Sequence, residues 1–191
     1  MEKRIFIICG FMICCLHLSA QEKIERERGI GLDDVPKQAV KWLDDAFEGE
    51  KKVQWYEEQS SDKLSYEAKF DWNKHFYSVE FDSEGIIEDI EILKRWEDLP
   101  ENVRTELKKF FKKTFSRHRI EKIQLQYTGS PDNLEDLMDE DESDDITIRY
   151  ELEYYGVNQE GKQVWEGLFD DKGVLIEQRK IVQRPTDNLN Y

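Results

Sequence analysis

The phrase Glu80-Phe81-Asp82-Ser83-Glu84-Gly85 returns as Leu168-Phe169-Asp170-Asp171-Lys172-Gly173, and what precedes it returns as well. "DVPKQAVKWLDDAF", Asp34 to Phe47, matches "DLPENVRTELKKFF", Asp98 to Phe111. A pattern written twice in one chain requires two like units or two like halves. In the first block Val40, Leu43 and Phe47 recur at helical spacing, and in the second Val103, Leu107, Phe110 and Phe111 do so. Asp34 and Asp98 stand two residues ahead of a proline suited to a first helical turn. Each block therefore opens with a helix.

Behind each helix the period changes to two, the spacing of half-buried strands. Four such runs follow the first helix, at 52–58, 63–70, 75–81 and 86–93, and four follow the second, at 119–127, 146–155, 162–169 and 174–182. The repeated phrase is then a hairpin device. An aromatic closes the third strand, Asp and two polar residues turn, and Gly supplies a positive φ. The expectation is an α+β fold of two tandem repeats, each a helix plus a four-stranded antiparallel sheet, with the helices on one face. Repeat one covers 34–96 and repeat two 97–184. A flexible segment, 21–33, precedes them and a tail, 185–191, follows.

Lys3 and Arg4, an apolar run, and Ser19-Ala20 ahead of Gln21 form a signal-peptide pattern over residues 1–20. Export to the periplasm or beyond is expected, with no membrane span after cleavage, because the run is shorter than the roughly 20 residues a spanning helix needs. A lipoprotein is the alternative, disfavoured because Ile13 precedes Cys14 where a small residue belongs. Cys9, Cys14 and Cys15 all lie in that segment, so the exported chain carries no thiol chemistry. A net charge of −15 repels phosphate backbones and argues against nucleic acid.

The paired blocks "VP…AVKWLDDAF…VQWY…YEAKF…YSVEFDSEGIIEDIEI" and "LPENVRTEL…FDDKGVL" resemble the PepSY-like family, also described as β-lactamase-inhibitor-like (BLIP-like) proteins. The resemblance implies tandem small α/β units with helices on one side of an antiparallel sheet, and a binding or inhibitory role. Its pattern departs in repeat two, where Gln124 and Leu125 fall at the place of Trp55-Tyr56 and an acidic insertion follows.

That insertion, 130–145, carries nine acidic residues between Asp132 and Asp145 and reads as a solvated loop without an apolar period. Asp139, Asp141, Ser143 and Asp145 alternate like the start of a calcium loop. Asp144 stands where such a loop turns on Gly, and Tyr150 where it needs Glu. Asp139, Asp141 and Asp145 are thus weak metal candidates. A cation-responsive envelope protein working through 132–145 is the second functional reading. No cofactor is implied.

Catalytic patterns are absent. His75 and His118 stand without a base–nucleophile arrangement near them, and acid pairs such as Glu88/Asp89 or Glu151/Glu153 are expected in any chain this acidic. The expectation is a non-enzymatic protein, with a hydrolase as the remote alternative. With Leu64, Tyr66, Ala68 and Phe70, and Tyr77, Val79 and Phe81, turned to the helices, parity sends Tyr56, Phe76 and Tyr155 the other way. Trp72 falls in a turn with little to pack against. These four rings form the candidate surface for a protein or peptide partner, which the chain would bind as a monomer, as an inhibitor of a protease or hydrolase.

Overall fold

The computed structural model describes residues 22–23, 26–49, 51–59, 63–139 and 145–181. The expected signal peptide and C-terminal tail lie outside the described residues. The chain runs β1 (Glu22–Lys23), β2 (Arg26–Ile30), α1 (Lys37–Ala46), β3 (Gln54–Gln59), β4 (Leu64–Trp72), β5 (His75–Asp82) and β6 (Ile87–Leu93). It continues α2 (Glu101–Thr114), β7 (Arg117–Thr128), α3 (Pro131–Asp139), β8 (Thr147–Asn158), β9 (Gly161–Asp170) and β10 (Leu175–Ile181). This is an α+β fold, and all strands lie in one sheet of order β1-β10-β9-β8-β7-β6-β5-β4-β3-β2. Pairing is antiparallel throughout except for β1, which runs parallel to β10.

The turn phrases have matching geometry. Asp82 Oδ1 accepts from the amides of Glu84 and Ile86, and Asp170 Oδ1 from those of Lys172 and Val174. Gly85 adopts φ 86° and Gly173 φ 84°, a region closed to most side chains. Both glycines also lie against the start of a helix. A Cβ on Gly85 would stand 2.7 Å from Pro36 Cβ and 2.9 Å from the Ala39 amide nitrogen, and one on Gly173 would stand 2.8 Å from the Val103 carbonyl oxygen. The turn thus requires glycine twice over, for its backbone angle and for the helix seated on it.

The helices cover one sheet face and create two cores. Ala39, Trp42, Leu43 and Ala46 of α1 pack with Phe47, Phe70, Val79, Phe81 and Ile90 in one. Val103, Leu107 and Phe111 of α2 pack with Phe115, Leu152, Tyr154 and Phe169 in the other. The strands between carry apolar residues to these cores at every second position, which is the period read from the sequence.

The insertion expected as a solvated loop is a helix over most of its length. In α3, Leu134 is fully buried, and it belongs to the α1 core although it follows β7. Met138 packs beside it, and Trp42 Nε1 donates to the Pro131 carbonyl at 3.2 Å. Leu134 and Met138 are an i, i+4 pair, an apolar stripe with half-buried Leu137 beside it on a helix otherwise rich in acidic residues. High charge concealed a short amphipathic element.

The segment 21–33 is a further correction: its β2 pairs with β3, Ile30 opposite Trp55, and β1 pairs with the far edge at β10. From β10 to β3 the sheet crosses seven inter-strand gaps, roughly 34 Å if flat. Lys23 and Arg26 are three residues apart and cannot separate by more than about 11 Å. A single segment reaches both edges only because the sheet curls on itself, helices outward. The face away from the helices is consequently an interior. Ser65, Ser78, Gln124, Gln126 and Glu166 point to that face and are all buried.

Candidate binding site: an acid-lined hollow and the adjoining cleft

Curling brings polar residues of strands β2 to β10 to a common hollow of about 330 Å3, lined from Glu27 and Glu58 on one side to Arg179 and Ile181 on the other. Glu27 sits opposite Glu58, Glu67 opposite Glu80, and Glu80 opposite Asp89. Glu91, Glu151, Glu153 and Glu166 complete the lining, against Lys69, Lys122 and Arg179 as cations. Like charges placed directly across a ladder repel, and burial strengthens the repulsion.

Neighbouring groups answer part of it. Lys69 Nζ lies 3.1 Å from Glu27 and 2.8 Å from Glu67, Lys122 3.5 Å from Glu153, and Arg179 is bonded to Glu166. Gln126 Nε2 donates to Asp89 at 3.2 Å and to Glu91 at 3.4 Å, and Gln124 also donates to Glu91. The rest appears as displaced protonation. Burial first, then Glu80 and Glu151, pushes the Asp89 carboxyl well above the carboxylate range. Burial, then Glu151 and Asp89, does the same to Glu91. Burial and the Glu67 charge raise Glu58 to about 8. Burial works against the Glu67 charge as well, but Lys69 and hydrogen bonds from Ser78 and Glu58 overcome it and hold Glu67 low.

Oxygens of Glu27, Glu58 and Glu67 come within 4.8 Å of one another, the grouping among the described residues closest to a cation cage. The Lys69 ammonium is already in contact with two of the three, Glu27 and Glu67. A metal would have to displace it, so the trio reads as an internal ion-pair cluster. Of the sequence-based metal candidates, Asp139 closes α3 and Asp145 precedes β8 with φ 58°. Asp141 lies outside the described residues.

A second, wider space of about 1290 Å3 adjoins the hollow at Lys122. Phe76 and Leu93, 37% and 44% exposed, stand on its walls with Trp96 and Ile120. Lys74, Lys94, Arg95 and Arg119 rim it with Asp71, Asp98 and Glu121. His75 and His118 also line it, both exposed, His118 stacked on Phe111 with centroids 4.6 Å apart.

The four rings expected to form one surface are distributed. Phe76 lies on the cleft. Tyr155 is on the same sheet face, half-buried and opposite Arg119. Tyr56 shares that face near the β2 edge, with Lys69 Nζ 4.7 Å above its ring. Trp72 is the correction: it belongs to β4, on the helix face, with its ring 5.1 Å from Phe47 and 5.7 Å from Tyr77 and its Nε1 donating to the Glu48 carbonyl at 2.9 Å. β4 extends two residues past Phe70, and parity then turns Trp72 inward with Ala68 and Phe70. Sequence reasoning overlooked the hollow itself. Its signal was present in the carboxylates alternating with core residues at Glu67, Glu80, Asp89, Glu91, Glu151 and Glu153, a pattern that ordinarily marks a solvated face.

No protein-family model matches the chain, and no curated protein matches it in sequence. Among solved structures, a DUF2874 family protein from Bacteroides ovatus is similar at TM-score 0.52 and 13% identity, over 76% of this chain and 86% of its own. A protein provisionally described as periplasmic, from Bacteroides eggerthii, gives TM-score 0.52 and 14% identity over 76% and 88%. A BLIP-like protein from Bacteroides fragilis reaches TM-score 0.49 at 12% identity over 78% and 89%, below the level that argues a shared fold. At these identities the likeness concerns architecture, and the chain shares its α+β fold with Bacteroides proteins of the DUF2874 type.

Proposed function

We propose that this chain is a non-enzymatic binding protein of the cell envelope that takes a protein or peptide partner in the cleft beside Phe76. The observation that carries the reading is the exposed pair Phe76 and Leu93 flanked by Trp96 and Ile120 inside a charged rim. An apolar centre enclosed by polar groups is how protein interfaces concentrate their energy. The described residues contain no helix long and apolar enough to cross a membrane, and one structural neighbour is provisionally described as periplasmic. The two turns with their matched Asp and Gly geometry support a duplicated unit of the PepSY-like or BLIP-like kind, and that resemblance makes a protease or hydrolase the partner class to test first.

The test is affinity capture of the partner from the envelope fraction, followed by titration with variants. Phe76→Ala should weaken binding about thirtyfold, roughly 2 kcal/mol, while changing stability by less than about 1 kcal/mol. Parental affinity in both Phe76→Ala and Leu93→Ala would remove the cleft as the site.

A further inference from the structure

Strand β2 is held to the sheet by little apolar contact. Arg26 through Gly29 are exposed and only Ile30 turns partly inward, so among the described residues the ladder with β3 and two ion pairs carry the attachment. Arg28 meets Glu57 at 3.0 Å on the outside, and Glu27 meets Lys69 at 3.1 Å on the inside. Elements with few buried contacts open at low cost. Yet this strand, with β1, is what joins the two edges of the curled sheet.

Docking β2 completes the crowded trio. Glu27 arrives beside Glu58 and Glu67, and only one ammonium, Lys69, stands among the three carboxylates. With all three ionised, the trio carries two uncompensated negative charges, and Glu58 and Glu67, half-buried where Glu27 is exposed, bear the larger share of the cost. A proton held between Glu58 and Glu67 halves that excess. We propose that the N-terminal segment is a proton-dependent clasp, which closes the sheet while Glu58 and Glu67 share one proton and releases when that proton is lost.

The surroundings act in the same direction. Glu80 faces the pair from β5, Asp89 and Glu91 from β6, Glu151 and Glu153 from β8, and Glu166 from β9. The cations facing them are Lys63, 3.3 Å from Glu80, Lys69 on β4, Lys122 on β7 and Arg179 on β10, the last bonded to Glu166. With the clasp docked, the Glu58 carboxyl gives up its proton only near pH 8, chiefly through burial and then the Glu67 charge, whereas release of β2 hydrates the β3 edge, relieves the burial and lets the pair ionise at lower pH. The docked form therefore binds more protons across that interval. Docking is strongest at low pH, weakens as pH rises towards 8, and levels off above it.

Hydrogen exchange on the full chain tests this at about pH 6 and about pH 9, with intrinsic rates divided out. Protection of the β2 amides should fall about tenfold or more across that span, while the amides of Leu152 and Tyr154 in β8 keep theirs. Glu58→Gln keeps a neutral donor to Glu67 and should hold β2 protection at both pH values. A parental β2 profile constant within about threefold overturns the clasp, as does a Glu58→Gln profile that falls like the parent's. An equal fall in β8 also overturns it, because the chain is then unfolding as a whole. If Glu58→Gln does not fold, the parental comparison of β2 with β8 decides alone.

Discussion

Leu134→Ala measures whether α3 belongs to the fold. The helix has nine residues, among them Asp132, Glu135, Asp136 and Asp139, and an isolated helix of that length is marginal in water. Its persistence depends on docking, through the fully buried Leu134, the flanking Met138, and the hydrogen bond from Trp42 to the Pro131 carbonyl. Truncation removes three buried carbons, about 2.4 kcal/mol at roughly 0.8 each, and leaves a cavity at the α1 core that raises the loss to about 3 kcal/mol. The ceiling is the docking energy of α3, because beyond it the helix detaches and no more can be lost. A loss of about 3 kcal/mol corresponds to a fall in Tm of about 6–12 °C for a chain of this size. Leu137→Ala is the control, since Leu137 is half-buried on the same helix and alanine is at least as good a helix former. It should cost about 1 kcal/mol or less. Urea and thermal unfolding of both variants decide the matter. If they agree within about 0.5 kcal/mol, α3 is an acidic appendage and the packing argument fails.

Two further perturbations probe the turns and the second core. Gly85→Ala and Gly173→Ala should each cost about 2–4 kcal/mol in urea unfolding, combining a strained positive φ with a collision against the helix start. Gly49→Ala, at φ 92° with nothing within 4 Å, should cost only the strain, about 1 kcal/mol, and equal losses at all three sites would show the helix contact to be irrelevant. Tyr154→Phe should leave stability unchanged or raise it by about 1 kcal/mol, because the Tyr154 hydroxyl is buried without a hydrogen-bond partner among the described residues. A loss above about 1 kcal/mol in thermal unfolding would mean that the hydroxyl is satisfied.

The local grammar of the chain was legible. Helices begin directly after Pro36 and Pro100, hairpins turn at Asp82–Gly85 and Asp170–Gly173, and the strands carry Ala68, Phe70, Val79, Phe81 and Leu152 inward at period two. Each of these depends on residues within a few positions of one another, where side-chain volume, proline φ and glycine freedom act directly on the backbone. Parity also placed Phe76, Tyr56 and Tyr155 on the face away from the helices. It misplaced Trp72 only because the end of a strand, unlike its period, is set by its partner: Trp72 pairs with His75 across the turn and so stays in the sheet.

What the tertiary structure decided is the character of that second face. Alternating Glu, Asp, Gln and Ser along a strand are compatible with open solvent, and nothing local distinguishes a solvated face from the wall of a hollow. The distinction arises when Glu22–Lys23 pairs with Lys180–Ile181 while Arg26–Ile30 pairs with Trp55–Gln59, contacts separated by more than a hundred residues of chain on one side and some thirty on the other. The same holds for Leu134, whose partners in the α1 core lie far upstream and give a charge-rich segment its one apolar duty. Period and turn chemistry are written in neighbouring residues; closure and burial are sums over distant pairings, which is why carboxylates read singly as solubility became, once enclosed together, a site where protons are held far from their ordinary range.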